Sequence, residues 1–291
     1  MDRKIISFLS IIILSSLIAG CGRQKALLYA PTRNPTPLFK NKGDFYTDFS
    51  IGFIKSEITA GYALTNFAAL YAGAGGGFNN QSNDAIILRP ATYTKFRYHQ
   101  DYYNLGIGYF LNQRLSQNFR FEIFGDLRIG DFSNENEVHW RNPSATTFSA
   151  RNTSKFYQLS GHYQRIGIMP NFSFQSPNKR TSFTYSLRAS KLKFSNLNYN
   201  DSTYWEQYSA LDKHWSSNLF EHNFTFSISK SEHLKLKLNF VISHYNNANK
   251  YAITNSSLMF GIAINTNIFN PDNLPITVGK RKNFKHNEIV N

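Results

Sequence analysis

The chain has 291 residues, a formal net charge of +14, 41% hydrophobic and 16% aromatic residues, and one cysteine. That length allows one large domain or two ordinary ones and buries a core without covalent staples. A single cysteine excludes an internal disulfide framework.

The first element in chain order carries the cysteine. Arg3 and Lys4 precede an apolar run from Ile5 to Ile18, which ends in Ala19-Gly20-Cys21. A charged start, a short apolar stretch and small residues before the cysteine resemble a bacterial lipoprotein signal peptide. The run is shorter than the ~20 residues needed to span hydrocarbon as a helix. The resemblance implies removal of residues 1–20 and lipidation of Cys21. For an exported chain, the basic charge points away from nucleic acid. Outer-membrane lipid, anionic lipid and the phosphates of lipopolysaccharide are the candidate partners. No protein partner, cofactor or metal is indicated.

Residues 21–43 read as an extended tether held out of regular ladders by Pro31, Pro35 and Pro37. No acidic run follows Cys21. In one group of bacteria such a run resembles a surface-export signal, so its absence places the anchor in the leaflet facing the periplasm.

From residue 44 the chain reads as strands. They cover about 44–54, 57–65, 67–78, 93–111, 119–131, 155–175, 181–197, 219–229, 234–245 and 251–269. The fifth is the clearest. Phe119, Phe121, Ile123, Leu127 and Ile129 share one face, and Arg120, Glu122, Phe124, Asp126 and Arg128 share the other. Strict alternation of this kind marks a strand with two different environments. A basic tail, 270–291, closes the chain.

Connections after the second, fourth, sixth and eighth strands are short and those after the third, fifth and seventh are long, whereas those after the first and ninth are short and break the pattern. Short turns at one end and long loops at the other are the habit of outer-membrane barrels. The expected fold is therefore all-β, an antiparallel up-and-down transmembrane barrel of about ten strands over 44–269. Eight or twelve strands are the alternatives. The tether and its lipid are expected on the turn side. Tyr98, Tyr102, Tyr103, Tyr199, Tyr204, Trp205, Trp215, Tyr245 and Tyr251 are expected to form interfacial girdles. The glycines at 73, 75, 76 and 77 lack the Lys-Ser/Thr end of a phosphate loop and are read as bends in the third strand.

If the apolar faces meet lipid, Arg120, Glu122, Asp126, Arg128, Arg188, Glu221, Lys235 and Lys237 point into the lumen. Near ten strands a barrel interior is largely filled by side chains. Buried charges need partners, so a salt-bridged polar plug is expected in preference to a conducting path. His99, His139, His162, His214, His222 and His244 have no diagnostic spacing, and no catalytic residue is assigned. The role expected is structural or binding, through loops 79–92, 133–153 and 198–217. The alternative is a soluble periplasmic lipoprotein whose barrel holds a hydrophobic ligand.

Three stretches carry a further resemblance: Tyr29-Ala30-Pro31, Pro37-Leu38-Phe39 with Lys42-Gly43-Asp44, and Ala60-Gly61-Tyr62-Ala63-Leu64-Thr65-Asn66. In this order they resemble a family of small outer-membrane β-barrel lipoproteins of Bacteroidetes-type bacteria. The resemblance implies a barrel and carries over no catalytic residue.

Overall fold

The computed structural model describes residues 27–82, 92–111, 118–140, 153–178, 180–201, 216–229, 234–245, 252–253 and 256–266. The signal segment, Cys21 and the basic tail lie outside these residues. In chain order the strands are β1 (Leu27–Tyr29), β2 (Phe45–Gly52), β3 (Lys55–Ala63), β4 (Ala68–Ser82), β5 (Thr92–Phe110) and β6 (Phe119–Trp140). They continue with β7 (Thr153–Gln175), β8 (Thr181–Tyr199), β9 (Ser216–Ser229), β10 (Leu234–Tyr245), β11 (Ala252–Ile253) and β12 (Ser256–Thr266).

Ten of these close into a barrel in which each strand pairs antiparallel with its neighbours, β2 through β10 and then β12. The seam is β12 on β2, with Ile262 opposite Phe49. Closure leaves no unpaired edge, as hydrocarbon demands. The last expected strand is divided, because β11 leaves the wall and pairs parallel with β1.

Alternation sets the two faces. Outward-facing Leu105, Ile107, Ile129, Ile166, Ile168 and Phe260 are each more than half exposed. Between them on the same strands, Asn104, Arg128, Arg165 and Met259 are buried. An apolar surface wrapped around a polar interior inverts a water-soluble barrel. An exposed apolar face of this extent exceeds what a soluble monomer shows.

The end of β3 and start of β4, the end of β5 and start of β6, the end of β7 and start of β8, and the end of β9 and start of β10 lie at one end of the barrel, with the start of β2 and the end of β12. The opposite strand ends lie at the other, where β2 and β3 are joined by Phe53 and Ile54 alone and the other strands are separated by longer stretches of sequence. The wall is uneven: β6 has 22 residues and β7 has 23, whereas β2 has 8. On β6 the outward residues change from Ile129 to Asp131, Ser133 and Glu135, so the strand continues beyond the apolar band. Residues 133–140 were expected as loop and are strand. The sequence hides this because neither face needs to be apolar above the membrane, and Asn134 and Asn136 point inward there.

Two further expectations fail. Tyr98 and Tyr102 are buried in the lumen and form no girdle, whereas Tyr103 is exposed. The side chains of Tyr204, Trp205, Trp215, Tyr245 and Tyr251 lie outside the described residues. The glycines of β4 make no bend, since its pairing to β3 and β5 runs without a register shift. They clear space instead. A Cβ on Gly75 would strike the Tyr102 hydroxyl, and one on Gly73 would lie 2.5 Å from Asn104 Oδ1.

The largest departure concerns the tether. It does not hang outside the barrel on the turn side. Tyr29, Ala30, Thr32, Arg33, Asn34, Thr36, Leu38 and Phe39 are all buried. The segment begins beside β11 at the long-loop end and descends through the lumen. It leaves at the turn end, where β2 starts.

Candidate functional site: a lumen filled by the N-terminal segment

An extended chain inside a barrel has no strand partner, so its backbone groups must find side chains. Pro31, Pro35 and Pro37 each remove one N–H that the wall would otherwise have to satisfy. Wall residues meet several of the remaining groups. The Ala30 N–H donates to Gln100 Oε1 at 3.3 Å, Thr32 N–H to Glu221 Oε1 at 3.3 Å and Phe39 N–H to Glu122 Oε1 at 2.9 Å. Carbonyls accept in turn: Arg33 from Arg188 Nη2 at 3.3 Å, Pro35 from Asn171 Nδ2 at 3.1 Å and Leu38 from Arg120 Nη1 at 2.9 Å.

Three layers lie along the path. At the loop side an aromatic layer surrounds Tyr29 and Ala30 with Phe96, Tyr98, Phe132, Leu159 and Phe194. The Tyr29 and Tyr163 rings meet edge to face with centroids 5.5 Å apart. In the middle lies the charged layer. Arg165 donates to Asp126, and its Nη1 lies 3.1 Å from Glu221 Oε2 and 2.7 Å from the Tyr29 hydroxyl. Arg188 Nη1 shares the same Glu221 oxygen at 3.0 Å. Arg128 has its guanidinium 4.1 Å from the centre of the Tyr102 ring, an attraction to the π face.

On the other wall Arg33 Nη1 lies 2.7 Å from Asp48 Oδ2, and its Nε lies 3.3 Å from Glu57 Oε2. Lys237 Nζ holds Asp48 at 2.9 Å and Thr36 Oγ1 at 3.2 Å, and Lys55 lies 3.4 Å from Glu57. At the turn side Phe39 packs with Phe110, Phe124, Tyr71 and Met169.

Where the segment leaves the lumen it is latched. Leu38 adopts a left-handed backbone with φ 57°, and Gly43 has φ 85°. An αL conformation costs a non-glycine residue about 1–2 kcal/mol, and Arg120 grips the Leu38 carbonyl. Asp44 Oδ2 accepts the N–H groups of Lys40 at 2.7 Å and Asn41 at 3.0 Å. Asn66 Oδ1 accepts Lys42 N–H at 2.9 Å. Two of the stretches that resemble the barrel-lipoprotein family thus meet at the turn side, as the latch and the turn that receives it, whereas Tyr29-Ala30-Pro31 begins the threaded path at the loop side.

All eight charges expected in the lumen are buried there. Asp126, Arg188 and Glu221 join one cluster, and Lys237 reaches Asp48. Arg120 and Glu122 hold the segment, whereas Lys235 has no ion pair among the described residues. Sequence reasoning missed Arg33, Asp48, Lys55, Glu57 and Arg165. Alternation in FYTDFSIG and HYQRIGIM carried that signal, because Asp48 and Arg165 fall on the faces opposite Phe49 and Ile166.

Among the described side chains, His99, His162, His222 and His244 lie on the outward face. His99 lies 2.7 Å from Asp101, and His162 bonds Asp131, all on exposed side chains. His222 Nδ1 lies 2.9 Å from the Tyr185 hydroxyl. Side chains of His139 and His214 lie outside the described residues. Among the described residues no group of His, Cys, Asp or Glu is placed to hold a metal ion.

Strand order, closure and the inverted surface define a ten-stranded β-barrel of the outer-membrane kind. No protein-family model matches the chain. No curated protein matches it either. Among solved structures it is similar to the outer membrane protease OmpT from Escherichia coli, with 8% identity and a TM-score of 0.43 over 76% of this chain and 90% of that one. It is also similar to the translocator domain of the autotransporter NalP from Neisseria meningitidis, with 12% identity and a TM-score of 0.40 over 76% and 86% of the two chains. The KdgM porin is 9% identical, with a TM-score of 0.34 over 76% of this chain and 98% of that one. The barrel class itself rests on this chain's own strand order and surface.

Proposed function

We propose that this is an outer-membrane protein, anchored by both its strands and a lipid on Cys21. Its lumen is stoppered by its own N-terminal segment, and its role is structural or binding through the loop-side connections. One observation carries the reading. The segment from Tyr29 to Phe39 is buried inside the wall, and its only charged side chain, Arg33, is paired with Asp48 and Glu57. A lumen engaged in this way has Asp48, Glu57, Arg120, Glu122, Arg188, Glu221 and Lys237 committed to the segment, which supports a non-conducting and non-catalytic barrel. Anionic lipid or lipopolysaccharide phosphates are the partners that the basic charge fits.

The alternative of a soluble barrel holding a hydrophobic ligand requires an apolar interior. Eight buried cations and six buried carboxylates among the described residues oppose it.

The test is electrophoretic mobility with and without boiling, on protein extracted from outer membranes. A membrane barrel stays compact in detergent until heated. The Cys21→Ser protein, exported with a cleavable signal, should remain in the membrane fraction and shift on boiling in the same way. Release of that variant as a detergent-free soluble protein would overturn the reading.

A further inference from the structure

We infer that the lipid-bearing N-terminus lies on the loop side of the membrane, opposite the side where β2 begins, so the barrel displays its own anchor in the outer leaflet. This rests on the proposal that Cys21 is lipidated. This reverses the sequence-based expectation of a turn-side, periplasmic anchor, which rests on the absence of an acidic run after Cys21 and on the short turns shared by the chain ends.

Three observations carry the inference. First, β1 pairs with β11, with Leu27 opposite Ala252, and β11 lies in the connection between β10 and β12 at the long-loop end. Second, contacts advance in order from there. Pro31 O accepts from Ser257 Oγ at 3.5 Å near the loop-side start of β12, and Thr32 and Arg33 occupy the charged middle. Phe39 meets Phe110 at the turn-side end of β5, with ring centroids 5.7 Å apart. The segment crosses the barrel once, from loop end to turn end. Third, Cys21 precedes Leu27 by six residues. Six residues reach at most about 20 Å, less than the ~25 Å apolar band of an outer-membrane barrel.

A return to the turn side is therefore too long by any route. Inside the barrel it would need the space that the segment occupies. Along the outside it would lay unpaired backbone in hydrocarbon, which costs several kcal/mol per group. The acyl chains enter the leaflet at the loop side. In the usual orientation, with turns in the periplasm, that leaflet faces outward.

The plug is then fastened at both ends. The acyl chains hold it at the loop side, and the latch of Asp44 and Asn66 holds it at the turn side. It cannot leave in either direction without extracting lipid or unpicking the start of β2. The barrel must also close around the segment, since acyl chains do not pass through a filled lumen afterwards.

The experiment is a short epitope inserted between Gln24 and Lys25 in the full chain, read by antibody binding to intact cells. Control epitopes sit at the 177–178 turn and within 203–206. The 24–25 and 203–206 epitopes should both bind in intact cells, at roughly ten times the signal of the 177–178 epitope. The latter should appear only after permeabilisation. Retained heat-modifiable mobility confirms that each insertion has folded. For insertions that do not fold, labelling of Lys25 in the untagged protein by a membrane-impermeant amine reagent, read by mass spectrometry, replaces the antibody. An N-terminal signal seen only after permeabilisation overturns the inference. Incorporation of labelled palmitate that disappears in Cys21→Ser separates the two claims. A surface N-terminus without palmitate overturns the lipidated-anchor inference while leaving the threaded path intact. Palmitate with a hidden N-terminus overturns the side alone.

Discussion

Arg33 in the threaded segment lies 2.7 Å from Asp48 on β2, so the segment's one charge is locked to the strand with which the wall begins. Both groups are buried, and Asp48 is shared with Lys237 at 2.9 Å. Removing one member of such a set strands the others in a low-dielectric interior, which costs more than the intact pair contributes.

Arg33→Met therefore leaves Asp48 with Lys237 alone and Glu57 with Lys55 alone. A loss of about 3–5 kcal/mol is expected, read as a lower denaturant midpoint in detergent or a lower temperature for the boiling-dependent gel shift. Adding Asp48→Asn should recover part of it. An unchanged midpoint for Arg33→Met would show that ion pairing does not hold the segment.

Two lumen glutamates should respond in opposite ways. Glu221 is shared by Arg165 and Arg188, so Glu221→Gln leaves two buried guanidiniums short of charge and costs about 3 kcal/mol or more. Glu122 makes no ion pair among the described residues and chiefly accepts the Phe39 N–H, which Gln can also satisfy. Glu122→Gln should leave the unfolding midpoint unchanged or raise it. Equal losses at both sites would contradict this division.

Deleting residues 29–39 should convert a silent barrel into a leaky one. The intact protein in planar bilayers should give no steady channels, whereas the deletion should give steady openings, because the wall residues that held the segment then face water. Steady openings of the intact protein would show that the segment does not block the lumen.

Gly106 lies opposite Tyr71 in the β4–β5 pairing, and a Cβ there would enter the tyrosine ring. Gly106→Val should destabilise by about 1–3 kcal/mol through overpacking. In a Tyr71→Ala background the same change should cost much less, a coupling readable in a double-mutant cycle.

Leu105→Arg places a cation in the middle of the outward apolar band and should cost about 2–4 kcal/mol, whereas Ser133→Arg, beyond the band on β6, should be nearly neutral. The contrast, measured by refolding into vesicles, maps the position of the bilayer on the wall.

The sequence by itself determined most of the wall strands and, where alternation is strict, their faces. A strand at a lipid boundary must alternate, so Phe119 to Ile129 could be divided into outward and inward sets without coordinates. Turn lengths then set the strand number and the up-and-down order. Residues 21–43 could not be placed in the same way. Three prolines describe an extended segment wherever it lies, since several of its backbone groups are met by side chains far away in the chain. Thr32 meets Glu221, and Phe39 meets Glu122. Only closure of the barrel brings those acceptors to one axis. For that reason the tertiary structure alone decided that the tether is a plug, that Tyr98 and Tyr102 face inward, and at which end of the barrel the N-terminus emerges.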